Sequence, residues 1–174
     1  MPPTEYLTTG DVYLRAMEPD DIDLLYSVEN DPNIFESGIS NVPYSRYLLR
    51  EFILNSTGDI YTDKQVRMMF CHDETTLGIV DLIDFNPHQL RAEVGITTLR
   101  SYRRHGYGTQ ALRLLAEYAA RTLHLHHLYA YIDFDNEASL RLFRKAGYQQ
   151  TATLKGWLYD GKKHHDAAFM QLFL

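Results

Sequence analysis

The sequence predicts an α/β (α+β) fold, a mixed and mostly antiparallel sheet flanked by about four helices. Three observations carry this. Val66 to His72, Leu77 to Phe85 and Arg91 to Thr98 are strand-like runs separated only by Asp73-Glu74 and by Asn86-Pro87-His88, which implies an antiparallel meander. Gly108, Ala111, Leu112, Leu115, Ala116, Ala119 and Leu123 then recur at helical spacing, so one long helix buries a single face. The run Leu128 to Phe134 follows that helix as a strand, a crossover that makes it a parallel neighbour.

The remaining elements follow in chain order. Val12 to Met17 opens as a short strand, and Glu18-Pro19-Asp20-Asp21 reads as a helix start, with proline and acidic residues in the first turn. That helix runs to about Glu29 and ends in Asn30-Asp31-Pro32-Asn33. A second amphipathic helix, about Tyr44 to Leu54, carries Leu48, Leu49, Phe52 and Ile53 on one side. Both helices are expected to flank a substrate entrance. Asn136 to Ala146 is a further helix stopped by Gly147, and Tyr148 to Leu154 with Ala167 to Phe173 close the sheet around the turn Tyr159-Asp160-Gly161-Lys162.

With 174 residues, 45% of them hydrophobic, one domain spanning 1–174 is expected. No apolar run approaches the roughly 18 residues of a membrane span. The polar start Met1-Pro2-Pro3-Thr4-Glu5 lacks the basic and apolar regions of a signal peptide, so a cytoplasmic protein with no membrane partner is expected. The formal charge of −6 disfavours nucleic acid and mildly favours a cationic partner. The single cysteine, Cys71, lies in the apolar stretch Met68 to Phe70 and reads as a buried structural thiol.

The segment Arg103-Arg104-His105-Gly106-Tyr107-Gly108-Thr109 stands between a strand and the long helix. There, free backbone N–H groups and the positive helix end face an anion; glycine permits close approach, and Arg103, Arg104 and His105 add positive charge. A basic loop that only caps the helix is the alternative. A P-loop is disfavoured because Thr109-Gln110 follows Gly108 where Lys-Ser/Thr is required. Gly106-Tyr107-Gly108-Thr109-Gln110-Ala111 satisfies the looser dinucleotide fingerprint, with Asp133 as its ribose acid, but antiparallel rather than parallel strands precede it.

Arg103 to Gly108 resembles the cofactor motif Arg/Gln-x-x-Gly-x-Gly/Ala of the GCN5-related N-acetyltransferase (GNAT) superfamily. Asn136-Glu137-Ala138-Ser139 through Lys145-Ala146-Gly147-Tyr148 resembles that family's second conserved block. Leu14-Arg15 and Ala92-Glu93-Val94-Gly95-Ile96 are similar to the subgroup of ribosomal-protein alanine and spermidine acetyltransferases. The resemblance implies a splayed sheet and acetyl-CoA as cosubstrate. It also implies pairing of pantetheine with the backbone at Ile96, Thr97 and Thr98, a pyrophosphate wrapped by the 103–109 loop, and an Asn136 contact to pantetheine.

Acyl transfer from a thioester to an amine needs a neutral nitrogen, a donor to the oxyanion and a proton for the thiolate. An α-amine near pKa 8 is about one-tenth neutral at pH 7, whereas an alkyl amine near 10.4 is almost wholly charged, so the latter needs a base more. Glu93 is the leading base candidate, on the strand expected beside pantetheine; a solvated carboxylate, or one paired with Arg91 or Arg100, is the alternative. Asp84 and Asp81 are weaker candidates. Many relatives place Tyr where this chain has Phe143, which leaves the acid open. Ser139 matches a serine implicated in the ribosomal-protein branch, with helix-start capping as its alternative, and Tyr131 or Tyr148 could substitute.

His124, His126, His127 and the run His164-His165-Asp166 lack zinc-type spacing, so no metal site is expected. The expected acceptor is a peptide or ribosomal-protein N-terminus, slightly preferred on the Asn136 to Ser139 pattern, with spermidine or another polyamine next. The acidic pair expected before Pro-Tyr in the polyamine branch is replaced by Asn41-Val42. A non-catalytic acyl-CoA-binding module is the competing class, and a dinucleotide oxidoreductase a weaker third. Trp157 and Tyr159 suit a substrate groove or the contact of a homo-oligomer.

Overall fold

A computed structural model describes residues 7–32 and 42–174. Asn33, Asn41 and the start Met1-Pro2-Pro3-Thr4-Glu5 lie outside the described residues. The chain runs β1 (Thr8–Thr9), β2 (Val12–Ala16), a 3-10 turn Pro19–Asp21, α1 (Ile22–Glu29), α2 (Arg46–Asn55), α3 (Ile60–Asp63), β3 (Val66–His72), β4 (Thr75–Asn86) and β5 (Arg91–Thr98). A 3-10 turn Arg100–Tyr102 leads to α4 (Tyr107–Arg121), β6 (His127–Asp133), α5 (Glu137–Lys145), β7 (Gln149–Tyr159) and β8 (His164–Phe173).

Every strand joins one sheet of order β1-β2-β3-β4-β5-β6-β8-β7, antiparallel except where β5 meets β6. The expected meander and crossover are both present. Five helices among the described residues exceed the expected four, because the one-turn α3 is closed by Asp59, whose carboxylate accepts from the Tyr61 N–H. So short a segment has no apolar period to read. The strands β7 and β8 are longer than expected, since Gly156 (φ 58°) and a register shift between Leu154 and Leu158 interrupt the alternation of β7 where its outer part begins.

Alternation along the strands divides the core between two faces. Phe70 and Val80 pack with Leu112 and Leu115 of α4 and Phe143 of α5, while Met69, Cys71 and Ile79 pack with Leu25 of α1 and Leu49 and Ile53 of α2. Cys71 is 1% exposed, as its apolar setting predicts. Burying a leucine such as Leu112 contributes about 2 kcal/mol.

Two polar clamps fix the α1–α2 face. Arg15 grips Asp21 through two 2.7 Å bonds, and Asp21 also accepts the Glu18 N–H, so the 18–21 turn is tied to β2. Asn30 Nδ2 donates to the carbonyls of Tyr26 and Tyr44 while Oδ1 accepts the Tyr44 N–H, joining the end of α1 to the approach to α2.

Candidate active site

β5 and β6 pair only at Arg91↔His127, Ala92↔Leu128 and Glu93↔Tyr129. Beyond Glu93 the strands diverge: Gly95 to Thr98 still pair with β4, and Ala130 to Asp133 pair with β8. The backbone of Ile96, Thr97 and Thr98 therefore has no strand partner on its β6-facing edge among the described residues. An extended amide-bearing ligand entering this wedge meets open backbone donors and acceptors.

The 103–109 loop closes one end of the wedge. Arg103 Nε donates to the Thr98 carbonyl at 2.9 Å, which latches the loop to the end of β5. Arg104 (φ 67°) and Gly106 (φ 87°) both adopt left-handed backbone, and the N–H groups of residues 104 to 108 donate to no acceptor among the described residues. Such a run, set on the N-terminus of the 15-residue α4, forms an anion-binding concavity.

The two glycines serve different ends. A Cβ on Gly106 would meet nothing within 4 Å, so its hydrogen serves the left-handed turn and leaves the concavity open. A Cβ on Gly108 would come within 3.3 Å of Leu142 Cδ1 and Thr98 Oγ1, so Gly108 lets α4 pack against α5 and β5. His105 and Tyr107 stack at 5.9 Å, and Tyr107 stacks in turn on His72, while Thr109 bonds back to the Gly106 carbonyl.

The opposite wall is acidic and aromatic. A bulge breaks the β4–β5 register between Ile83 and Asn86, and Asp84 sits there with φ 47°, a conformation aspartate tolerates. Tyr129 donates to Asp84 Oδ2 at 2.5 Å across the strand that carries Glu93. Glu93 is half-buried, and desolvation followed by the Asp84 charge raises its pKa above the ordinary carboxylate range. It has no ion-pair partner among the described residues; Arg100 faces Asp31 instead.

Tyr131, on the first diverging stretch of β6, has its pKa raised by desolvation and then by Glu93 and Asp84. It packs with Trp157 and Phe169 as an aromatic shelf. Sequence reasoning named Tyr131 only as a substitute and missed its proximity to Glu93, because only the β5–β6 register, which pairs Glu93 with Tyr129, brings Tyr131 two residues further on within reach of that charge.

Other candidates separate. Asn136 is the N-cap of α5, its Oδ1 accepting the Ser139 N–H at 3.1 Å, which leaves its Nδ2 for a ligand. Ser139 enters that cap through its backbone, so its hydroxyl is not the capping group. Phe143 is 3% exposed against Tyr148, and both rings belong to the core. Asp81 binds Arg67 Nε at 2.6 Å and Arg67 also pairs with Glu29, so Asp81 is engaged in an ion-pair network.

A cavity of about 1030 Å³ lies on the α1–α2 side of the sheet. Among the described residues, Glu29, Glu51, Asp63 and Asp81 line it against one cation, Arg67, and it reaches Ile83, the cross-strand neighbour of Glu93. The flanking helices expected from the sequence therefore border a cavity.

The whole arrangement of wedge, concavity and long helix corresponds to a known family. The model of the acetyltransferase (GNAT) domain matches residues 11–149. This chain belongs to the GNAT acetyltransferase family. It is an acyltransferase that uses acetyl-CoA as cosubstrate.

Among its relatives, the spermidine N(1)-acetyltransferase of Escherichia coli (strain K12) is 24% identical over 162 residues, covering 93% of this chain and 86% of that one. The crystal structure of spermidine N-acetyltransferase from Vibrio cholerae in complex with CoA and spermine superposes with a TM-score of 0.83 at 21% identity, covering 95% and 96% of the two chains. A dodecameric structure of the Vibrio cholerae enzyme gives a TM-score of 0.78 at 20% identity, with 95% of each chain covered.

Proposed function

We propose that the acceptor is a polyamine and that this chain acetylates one of its primary amino groups. The acidic cavity beside Glu93 carries this reading: four carboxylates against one arginine attract a ligand with several spaced positive charges. The polyamine acetyltransferases among its relatives support it. The Asn136 to Ser139 pattern that favours a peptide N-terminus has no comparable counterpart in the charge of the cavity.

In this reading the free N–H groups of residues 104 to 108 hold the pyrophosphate, with Arg103, Arg104 and His105 beside them. The unpaired edge at Ile96, Thr97 and Thr98 and the Asn136 amide hold pantetheine, which directs the thioester toward Glu93. Glu93, with its raised proton affinity, takes the ammonium proton directly or through water. The neutral amine then attacks the thioester carbon, and collapse of the tetrahedral adduct breaks the C–S bond and releases the thiolate of CoA. The adduct nitrogen gives up its second proton, and the thiolate takes up one proton through water or through the candidate hydroxyls of Tyr131 and Ser139, to give the N-acetyl amine and CoA.

A homo-oligomer also belongs to this reading, supported by the dodecameric relative and by Trp157 and Tyr159, which are 56% and 57% exposed.

The test is acceptor-dependent thiol release from acetyl-CoA with spermidine, spermine, free lysine and an alanine-ended peptide. Spermidine or spermine is expected to exceed the peptide by at least ~10-fold in kcat/KM, the worth of one well-placed charge contact. A peptide that outpaces both polyamines overturns the assignment.

A further inference from the structure

Beyond the wedge, the turn from β6 into α5 and the start of β8 converge on His165. Its side chain is 12% exposed, and Nδ1 lies 3.3 Å from Asp133 Oδ2 and 3.3 Å from Asp135 Oδ2. The three ligand-type atoms are within 4.8 Å of one another. A separate cavity of about 550 Å³, bordered by the same three residues, opens beside them.

The surroundings are ordered for a ligand. Asp160 Oδ2 stands 2.8 Å from His165 Nε2, and Asp160 Oδ1 is fixed by the backbone N–H groups of Lys162 and Lys163. Asp133 Oδ1 accepts the Asp135 N–H, which turns Oδ2 toward the imidazole. The nearby Lys155 is bound to Asp166 at 2.6 Å and leaves Asp133 and Asp135 without its charge.

With Nε2–H donating to Asp160, the Nδ1 lone pair faces two carboxylate oxygens, and three electron-rich atoms around one point call for a cation. A proton on Nδ1 bonds well to one oxygen at a time, whereas a metal ion engages all three atoms at once. A carboxylate behind the imidazole is the outer shell that orients histidine ligands. One imidazole nitrogen with two carboxylates and an open solvent side suits zinc or manganese better than magnesium or calcium, which favour all-oxygen sets.

We propose that Asp133, Asp135 and His165 bind one divalent ion of the zinc or manganese class. The ion clamps the β6–α5 turn to the β7–β8 hairpin. Because the Asn136 N–H donates to the Asp133 carbonyl at 2.9 Å, the clamp steadies the N-cap of α5. The expectation of no metal site came from the spacing around the histidines, His164-His165-Asp166 among them, which does not reveal the partners supplied by β6 and the turn after it.

The experiment titrates chelator-treated full-length protein at pH 8 with Mn²⁺, followed by the paramagnetic resonance of the free ion, and then displaces it with Zn²⁺. One ion per chain is expected. Asp135→Asn, at a side chain 75% exposed and therefore benign to folding, is expected to weaken it by at least ~10-fold. A double His126→Ala, His127→Ala variant tests the exposed histidine pair and is expected to bind unchanged. The proposal is overturned by the absence of a one-equivalent site, by a site that survives Asp135→Asn, or by one lost with His126 and His127.

Discussion

The two walls of the wedge are built from different materials. In the proposed reading, the cofactor wall, Thr98 to Thr109, works through backbone: unpaired N–H groups, two left-handed residues and a helix end. The acceptor wall works through side chains brought from β4, β5, β6 and β7: Asp84, Glu93, Tyr129, Tyr131 and Trp157. A ligand common to a whole family can be held by the first kind of surface, because main-chain groups persist when side chains change. Choice of acceptor falls to the second, where single substitutions alter charge and shape.

The comparison is tested hardest at Glu93. Glu93→Gln is expected to lower kcat with spermidine by about 10³-fold while leaving KM for acetyl-CoA within a few-fold. The loss should be smaller with an α-amine acceptor, which is already partly neutral. Desolvation raises the Glu93 pKa, so the wild-type rate should fall on the acid side at a pH above the ordinary carboxylate range, and the variant should lose that limb. Stability moves the other way. A carboxyl with a raised folded-state pKa favours the folded chain fully only below its unfolded pKa, and that contribution is lost as pH rises through the folded value. Glu93→Gln should therefore melt higher than wild type at neutral pH, with the difference vanishing near pH about 4. Retained kcat would remove Glu93 from the proton path.

Gly106→Glu probes the other wall. The new carboxylate would project into open space beside the free N–H groups, and the left-handed φ of 87° would be strained. CoA affinity is expected to fall on the order of 100-fold, since like charge opposes the phosphates. Calorimetric titration of CoA reads the loss, and circular dichroism shows whether the chain stays folded. Unchanged affinity in a folded variant would mean that the pyrophosphate lies elsewhere.

How much of this was legible in the sequence follows the same division. The strand, loop and helix around Arg103 to Gly108 are contiguous, so their residue types could be read in order as an anion site. The meander and α4 were equally open, because Met68 to Cys71 and Ala111 to Leu115 repeat at the periods of a strand and a helix. The acceptor wall was not. Nothing local links Asp84 to Tyr129, and only the β5–β6 register sets Tyr129, with Tyr131 two residues on, against Glu93. The acidic cavity gathers Glu29, Glu51, Asp63 and Asp81 from α1, α2, α3 and β4, where each reads alone as a surface carboxylate.

The smallest effect is expected at Tyr148, where the wall and the core can be told apart. Its ring is 2% exposed, lies 4.9 Å from Phe143 at an edge-on angle, and carries a buried hydroxyl with no partner among the described residues. Desolvation raises its pKa, which makes the phenol a reluctant acid. With a phenyl ring at 143 and a phenol at 148, a proton-donating role could be assigned to the Tyr148 hydroxyl. Burial argues against that assignment, because a donor to the thiolate must reach the wedge. Removing an unsatisfied buried hydroxyl relieves its desolvation cost. Tyr148→Phe is thus expected to raise unfolding free energy by about 1 kcal/mol in a urea titration and to leave kcat unchanged. A fall in kcat with unchanged stability would instead place the hydroxyl in the wedge and extend the acceptor wall to the link between α5 and β7.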